Sequence, residues 1–432
     1  MFVKFSFFVV SSPFSLIPPL SFCYTFHMPI FDTSGLGWSI VKTVYHFADV
    51  TAFVWGPVLL VYLAAKAWLA YKQAEFIAKF EWVMLEIKLP RVIEKTPLAM
   101  ELVLPAFHIT STGTWYDRWF KGKVKPWFSL EMMSDEGDVR FFVRTPTKYK
   151  RVIESHIYAQ YPDIEVHESE DYVKVTPYLK EPNEWSLWGC EFALTKPDPY
   201  PIKTYVDYKL DSTLTKEEMK SDPITSVIEF LGSVGRGQTV WFQILVQATG
   251  RRFSKPGLFA GRHDWKEEGK KIIAEIKAKS ADAEGREKSS KQQSDVIAAI
   301  ERSLGQFGFD CGIRALYIAR REAFDPSNIG GIAGAFQQYS SQVLNGFKPT
   351  HTTEFDYPWQ DYKGMRLAKL KKRLYDAYVR RSYFYMPYMR RPFVLSSEEL
   401  ATIFHFPGGV AETPTFSRID SRKGEPPSNL PI

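Results

Sequence analysis

The sequence predicts an α+β protein that starts with a transmembrane helix and continues as two ferredoxin-like β-α-β-β-α-β modules, the second with a helical-hairpin insertion. Three observations support this fold class. An apolar run covers residues 50–71, strand-like and helix-like runs then follow each other in the same order twice, and a long charged stretch interrupts the second repeat. With 45% hydrophobic and 24% charged residues, the composition is that of an ordinary globular chain.

The apolar run VTAFVWGPVLLVYLAAKAWLAY, residues 50–71, is predicted to cross a membrane. At about 1.5 Å per residue it forms a helix of about 33 Å, enough for a hydrocarbon core of about 30 Å. Its charged residue lies near the end, where it can snorkel, and rings near both ends suit the interface. The alternative is a buried core helix, but apolar residues surround the whole helix. The predicted anchor residues are Trp55, Tyr62, Lys66, Trp68 and Tyr71.

Flanking charges predict the orientation of this helix. Lys72, Lys79, Lys88 and Arg91 follow it, whereas residues 28–49 contain Lys42 as their only Lys or Arg. Positive charge stays on the cytoplasmic side. We therefore expect a single-pass protein of the cell (inner) membrane with the bulk of the chain in the cytoplasm.

The N-terminal segment, residues 1–49, is apolar, and we expect low order in its first part. Prolines at positions 13, 18 and 19 interrupt its first 27 residues as a helix. A more ordinary N-terminus begins at Met28. Two interpretations therefore stay open, a start at Met1 or a start at Met28.

Cysteine usage and motif searches predict no enzyme. Cys23, Cys190 and Cys311 stand far apart without a CxxC pair, which argues against a disulfide framework or a structural zinc site. The last two lie in strand-like apolar runs and are predicted to be buried. No phosphate-binding GxxxxGK[ST], HExxH or GxSxG motif occurs, and GSVGRGQT at 232–239 lacks the required Lys. We predict no catalytic, cofactor-binding or metal-binding residues.

The first α+β module is predicted over residues 82–180, after residues 50–81 have formed the membrane helix and its cytoplasmic extension. VMLEIKLP alternates as a strand, and a helix from Pro97 follows with Thr96 as its N-cap. WFSLEMMSDEGDVRFFVRTP reads as a hairpin. The module then continues with the helix TKYKRVIESHIYAQYP and the strands IEVHE and YVKVTPY.

The second module, residues 181–357, repeats this order. WGCEFALTK, GQTVWFQILVQAT and FDCGIRALYIAR are predicted strands, and NGFKPTHTTEF is a possible last one. DPITSVIEFLGSV, with Asp222 as N-cap, and DPSNIGGIAGAFQQYSSQV are predicted helices. Because PLAMELVLPAFH matches PITSVIEFLGSV and WFSLEMM matches VWFQILVQA, we interpret the two modules as an internal repeat.

The insertion in the second module, residues 250–305, is predicted to form a projecting helical hairpin. Two highly charged helical runs flank a Gly/Ser/Lys/Gln-rich break. The hairpin is either a docking arm for a neighbouring protein or a solvated arm without a partner. Both interpretations stay open.

Residues 358–393 form a basic, aromatic, helical segment. From Lys363 to Arg391 it holds ten Lys or Arg against one acid, Asp376. Either its rings stack on the bases of DNA while its cations bind phosphates, or its rings pack on the sheet and its basic face meets anionic lipid or an acidic partner. The predicted nucleic-acid or lipid phosphate contacts are Lys369, Lys371, Lys372, Arg373, Arg380, Arg381, Arg390 and Arg391. The rings are Tyr375, Tyr378, Tyr383, Phe384, Tyr385 and Tyr388.

The last part, residues 394–432, is predicted to contain a short helix and a proline-containing, linker-like tail. The helix lies in SSEELATIFHFP and is capped by Ser396 or Ser397, with Glu399 near the capping-box position. The tail, ETPTFSRIDSRKGEPPSNLPI, is extended in character.

Three phrases carry a resemblance to a known group. LEIKLPRVIEKTPLAMELVLPAFH after the membrane helix, LSSEELATIFHFPGG, and TPTFSRIDSRKGEPPSNLPI together resemble the membrane-anchored N-terminal region of type IV secretion and conjugative DNA-transfer ATPases of the FtsK/HerA type, a domain of unknown function. The resemblance covers most of residues 48–432. In such bacterial chains the segment corresponding to RKGEPPSNLPI leads into the ATPase domain, which this sequence lacks.

The resemblance implies a non-enzymatic, membrane-anchored adaptor for a separate P-loop motor ATPase, working in a type IV secretion or DNA-translocation system. Its partners would be the lipid bilayer, the motor and DNA, and because such motors form rings, a homo-oligomer is implied. No cofactor is expected. The alternative is a membrane-tethered nucleic-acid-binding protein that uses residues 363–391.

Overall fold

The computed structural model describes residues 36–90, 95–175, 184–211, 222–250, 252–253, 262–280, 290–355, 357, 359, 361 and 364–407. The chain divides into two units, Met1–Lys66 and Ala67–Ile432. The second unit is a mixed α+β structure around a nine-stranded sheet, in which all paired strands are antiparallel.

Helix α1, Leu36–Ala78, contains the predicted apolar run and continues past both of its ends. Pro57 lies inside it. Its segment Thr51–Ala78 has a mean hydropathy of 1.6, and none of the apolar window is buried. One helix of the described chain is thus long and apolar enough to cross a membrane. The predicted helix is confirmed, and the alternative of a buried core helix does not match its exposure.

The first half of the body follows the predicted order of strands and helices except at two short helices, 115–119 and 172–175, which were not predicted. Its elements are β1 (Trp82–Lys88), α2 (Pro97–Val103), α3 (Trp115–Trp119), β2 (Phe128–Asp135), β3 (Asp138–Pro146), α4 (Lys150–Gln160), β4 (Glu165–Ser169) and α5 (Tyr172–Val175). The turn of the predicted hairpin falls at Glu136 and Gly137, both with positive φ. Glycine suits the second of these positions because its φ of 95° is rare for side-chain-bearing residues.

The second half also follows the predicted order, with two additional short strands at 252–253 and 262–263. Its elements are β5 (Trp185–Leu194), α6 (Pro223–Gly232), β6 (Gln238–Ala248), β7 (Arg252–Phe253), β8 (Arg262–His263), α7 (Trp265–Ser280), α8 (Lys291–Gly305), β9 (Gly308–Arg320), α9 (Ser327–Gly334) and β10 (Phe347–Thr350). The predicted cap of α6 is confirmed, since the Asp222 carboxylate accepts a hydrogen bond from the Ile224 N–H.

Both halves share one sheet. The strand order is β10-β5-β9-β6-β2-β3-β1-β4. When only the strands of this sheet are counted, the order within each half is therefore fourth, first, third, second strand. The halves join through β2 and β6, the pair of strands that the sequence repeat matches, in a ladder from Phe128↔Val246 to Asp135↔Thr239.

One predicted strand is wrong. In YVKVTPY the described residues form the helical turn α5, and the remainder lies outside the described residues. The Asp171 carboxylate accepts a hydrogen bond from the Val173 N–H, which starts a turn, and the Val173 side chain is buried. Local hydrogen bonding and packing thus outweigh the strand preference of the two valines.

The predicted helical hairpin is present as α7 and α8. The two helices pack on each other through Ile273, Val296 and Ile300, and Tyr200 and Val343 of the body pack against the same cluster. The hairpin therefore packs against the body and does not project from it as a separate arm.

Helices cover the two faces of the sheet unequally. A large core that includes residues of α2, α4, α6 and α9 fills one face. On the other face lies α10 (Met365–Val379), packed on Trp241 and Leu316 of the sheet. The chain then returns as β11 (Phe393–Ser396), paired with β9, and α11 (Ser397–Ile403). The predicted capping box of α11 is confirmed with Ser396 as N-cap. The predicted tail lies outside the described residues.

Candidate functional site

Helix α10 places the predicted basic segment on the sheet with one face inward. Leu374, Tyr375, Ala377 and Tyr378 are buried against the strands. Helical structure ends at Val379, and an irregular stretch leads from there to β11. The basic segment is therefore part of the body and not a separate arm.

The aromatic rings of this segment pack inward. Tyr375 and Tyr378 are fully buried, and Tyr383 and Tyr388 are nearly so. The Tyr378 ring lies 5.3 Å from that of Trp241. Phe384 and Tyr385 are partly buried beside Trp127. Of the two arrangements considered, rings packed on the sheet are the one observed, because the four buried tyrosines offer no face to a base.

Arg381, predicted to contact phosphate, is instead fully buried. Its guanidinium donates two hydrogen bonds to Glu131, of 3.0 and 3.1 Å, and two to Asp171, of 2.6 and 2.8 Å. Such bidentate geometry is the strongest form of an arginine–carboxylate contact. The prediction for this residue is corrected: its charge is neutralised inside the protein and does not reach a ligand.

The pKa values of this pair reflect the same geometry. Burial alone disfavours the charged form of Glu131, but the Arg381 guanidinium outweighs it and lowers the pKa of that carboxyl to about 2. Burial likewise opposes the charge of Arg381, but Glu131 raises its pKa well above the ordinary value. Both groups are therefore ionised at neutral pH.

A row of buried polar side chains crosses four strands beneath this stretch. Glu191, Arg314, Gln243 and Glu131 are successive cross-strand partners on β5, β9, β6 and β2. Gln243 donates to Glu131 at 2.8 Å, and Arg314 donates to the Ser382 carbonyl at 2.8 Å. The row thus fixes the stretch after α10 to the sheet. A charged residue flanked by apolar ones, Glu131 in WFSLEMM and Arg314 in CGIRALY, was the sequence signal that could have found two members of this row.

Two more predicted cations are held by the body. Arg390 donates to Glu191 at 3.1 Å, and its guanidinium lies 4.9 Å from the Tyr388 ring. Lys371 is half-buried, and burial lowers the pKa of its ammonium.

The remaining predicted cations are exposed: Lys369, Lys372, Arg373, Arg380 and Arg391. The first four line a groove of about 290 Å³ between α10 and the Pro387–Tyr388 stretch, together with Asp376. We call this the basic groove. Spacings of three and four residues put its cations on one face of α10. Among the described residues, none of these four is in an ion pair, so the groove offers positive charge to an anionic group.

The predicted anchor residues lie along α1. Trp55, Tyr62, Trp68 and Tyr71 are each about half exposed. The Lys66 ammonium lies 4.6 Å from the Tyr62 ring, a cation–π distance. These exposed rings and the apolar surface between them are what a bilayer would cover.

Other candidate chemistry is sparse. Cys190 and Cys311 are buried, as predicted, in β5 and β9. Within the described ranges, no three His, Cys, Asp or Glu side chains lie close enough together to hold a metal ion. Of the predicted contact residues, those that line the basic groove are therefore available to a ligand.

Fold and site define an α+β protein with an apolar helix that is long enough to cross a membrane and a basic groove on its sheet-covering helix. The chain belongs to the family described as Domain of unknown function (DUF8128), which matches residues 65–418. The match starts inside α1 and includes the sheet and the basic groove. It carries no link to type IV secretion or to FtsK/HerA-type ATPases. A comparison with curated proteins gives no match.

Proposed function

We propose that this chain is a non-enzymatic, membrane-anchored adaptor of a type IV secretion or DNA-translocation system, which holds a separate FtsK/HerA-type motor ATPase at the membrane. The observation that carries the anchoring is α1, whose apolar window has no buried residue. Exposing so much apolar surface to water is costly, whereas a bilayer covers it. The resemblance of the sequence phrases supplies the motor as the partner.

The body fits the role of a stiff spacer. We infer that each half is a ferredoxin-like module, on the support of the fourth-first-third-second strand order in both halves. Because β2 and β6 join the halves into one sheet, a load applied at one edge passes through backbone hydrogen bonds. A motor that pulls DNA needs such a fixed attachment. We also propose a homo-oligomer, since ring-forming motors require several anchors.

Membrane fractionation of the full chain tests the anchor. We expect wild-type protein to stay in the membrane pellet after alkaline carbonate washing. Leu60→Arg with Leu63→Arg puts two charges into the apolar run, at about 2.5 to 3.5 kcal/mol each, and should release the protein. Ala274→Arg on the exposed face of α7 is the control and should change nothing. Extraction of the wild-type chain by carbonate would overturn the anchoring.

Copurification tests the motor. The tagged full chain, solubilised in mild detergent after cross-linking in its native cells, should bring down a P-loop ATPase together with ATP hydrolysis. Lys369→Glu with Arg373→Glu reports whether the basic groove contributes to that contact. Recovery of the chain without any ATPase, with the anchor intact, would count against the adaptor role and leave the anchoring untouched.

The basic groove favours a second candidate function, a membrane-tethered nucleic-acid-binding protein. Four cations converge there against one acid, as phosphate binding requires. Stacking by the buried tyrosines is not available to it, so binding would be electrostatic and insensitive to sequence. Titration of single- and double-stranded DNA with the detergent-solubilised chain across salt decides this. Affinity that does not change with salt, or no binding, would eliminate it.

A further inference from the structure

We infer that α3 and the residues that follow it form a second membrane contact, which lies in the headgroup region of anionic phospholipid beside the end of the apolar run. This inference rests on the membrane anchoring proposed above. It adds a lipid class and a surface that the sequence patterns did not single out.

The surface of α3 is dominated by exposed rings. Trp115 is 61% exposed, Tyr116 55% and Phe120 48%, and α3 itself has no buried residue. The Tyr116 and Phe120 rings stack at 5.0 Å, and the Trp115 ring meets that of Phe120 at 5.8 Å. We call these three residues the aromatic patch. A patch of large exposed rings that do not pack into the core marks an interaction surface.

Contacts with α1 fix the level of the aromatic patch. The Trp68 indole N–H donates to the Trp119 carbonyl at 3.1 Å. Gly122, with a φ of 66°, lies against the Lys72 carbonyl, which a Cβ at this position would overlap. Lys72 is the first charged residue after the apolar run. The patch is therefore held where the chain leaves the hydrocarbon, the layer in which tryptophan and tyrosine are enriched.

Charges beside the patch select anionic lipid. Arg118 and Lys121 are exposed, and Lys123 lines a neighbouring cavity of about 430 Å³ with two further cations, Lys79 and Lys148, and one acid, Glu81. Phe76 and Phe80, from the end of α1 and the turn after it, form an apolar part of the same cavity. The acid nearest the patch, Asp117, is occupied by the Thr114 cap and by Lys121 at 2.8 Å. Cations around an apolar floor match a negatively charged phospholipid headgroup and its glycerol region.

Fluorescence quenching in vesicles tests the contact. The full chain carries Cys23→Ser, and its other two cysteines, Cys190 and Cys311, are buried. Tyr116→Cys is introduced into this variant and labelled with NBD. The labelled chain is reconstituted into vesicles of phosphatidylcholine with about 30% phosphatidylglycerol, which gives the bilayer a negative surface potential. The matched control is Ser155→Cys on the exposed face of α4. We expect lipid-borne 5-doxyl groups to quench the label at 116 and aqueous iodide to quench it several-fold less than the label at 155.

Each other result overturns the inference. Iodide quenching at 116 equal to that at 155 would place the patch in water. Protection from both quenchers would mean that protein, such as a second copy of the chain, covers it. Equal shielding in pure phosphatidylcholine would refute the preference for anionic lipid. A label at Leu60→Cys distinguishes this inference from the proposed anchor. If lipid shields the label at 60 while the label at 116 is exposed to water, only the inference is overturned. If both labels are exposed to water, the membrane anchor is overturned as well.

Discussion

Arg380 and Arg381 are adjacent in sequence and have opposite environments. Arg380 is exposed and lines the basic groove, whereas Arg381 is fully buried between Glu131 and Asp171. The same side-chain chemistry thus supplies a free surface charge at one position and a structural ion pair at the next. Charge density along a sequence therefore does not measure the charge available to a ligand. The position of each cation relative to the sheet decides it.

The largest expected effect comes from removing Arg381 from its buried ion pair with Glu131. Arg381→Met leaves the Glu131 carboxylate buried without its cation, and removal of one partner of such a pair costs about 3 to 5 kcal/mol of unfolding free energy. Arg380→Met, the matched control, should change stability by less than about 0.5 kcal/mol. Urea unfolding of the detergent-solubilised chain, followed by tryptophan fluorescence, measures both.

If Arg381→Met prevents folding, the double variant with Glu131→Gln provides the check. It removes the orphaned charge and should recover part of the lost stability. Equal destabilisation by Arg380→Met and Arg381→Met would contradict the difference between the two arginines.

The buried pair of Glu131 and Arg381 should also make the stability of the protein depend on pH in the acid range. The pKa of Glu131 in the folded protein lies below the ordinary value of about 4.3. As pH falls below that value, the unfolded chain takes up a proton that the folded chain does not, so stability falls as pH drops. The pair's contribution is complete above the ordinary value and is lost toward pH 2. Between pH 5 and pH 3, the melting temperature of the wild type should therefore fall more steeply with decreasing pH than that of Glu131→Gln. The same dependence of melting temperature on pH in both proteins would refute the role of the ion pair.

A smaller effect, on DNA binding, is expected from the exposed cations. Lys369→Glu, Lys372→Glu and Arg373→Glu together reverse the charge of the basic groove. Duplex DNA affinity should fall at least about tenfold, and the slope of log K against log salt should drop by about 2.7, at about 0.9 per phosphate contact. Fluorescence anisotropy measures both.

The matched control for this variant is Lys270→Glu, Lys271→Glu and Lys277→Glu on α7, with the same change in net charge. These lysines are exposed and lie outside the basic groove. If this control weakens binding as much as the groove variant, binding is set by net charge and not by the groove.

The smallest expected effect concerns Arg373, whose environment is intermediate between those of Arg380 and Arg381. The Arg373 guanidinium is 5.2 Å from the Tyr388 ring, at the wall of the groove. Arg373→Met removes this contact and should lower the unfolding free energy by about 0.5 to 1 kcal/mol. Lys369→Met, which lacks a ring partner among the described contacts, serves as the reference. A loss above about 2 kcal/mol would show that Arg373 has a structural role like that of Arg381.

Much of the secondary structure could be predicted because its causes are local. Asp222 begins α6 and Ser396 begins α11 through hydrogen bonds to residues two or three positions away. The apolar strands β5, β6 and β9 show their character in their own composition. YVKVTPY was predicted as the wrong element, since its conformation depends on packing beneath α10 as well as on the local hydrogen bond of Asp171.

The candidate site could be predicted only in part. The sequence located the basic segment, but it grouped eight cations that the structure separates into exposed, half-buried and internally paired ones. Arg381 finds Glu131 at a separation of 250 residues and Asp171 at 210. No local pattern reports such contacts. The aromatic patch was missed for the same reason, because its position is set by the contacts of the neighbouring Trp119 and Gly122 with Trp68 and Lys72.

The sequence by itself determined where the chain can form helices and strands, that one run is apolar enough for a bilayer, and that the body repeats one order of elements. These properties depend on neighbouring residues and on side-chain hydrophobicity. Only the tertiary structure decided that β2 pairs with β6 to make one sheet, and which arginines remain at the surface. Those outcomes depend on the burial of charge, and a buried charge is tolerated only where distant parts of the chain bring it a partner.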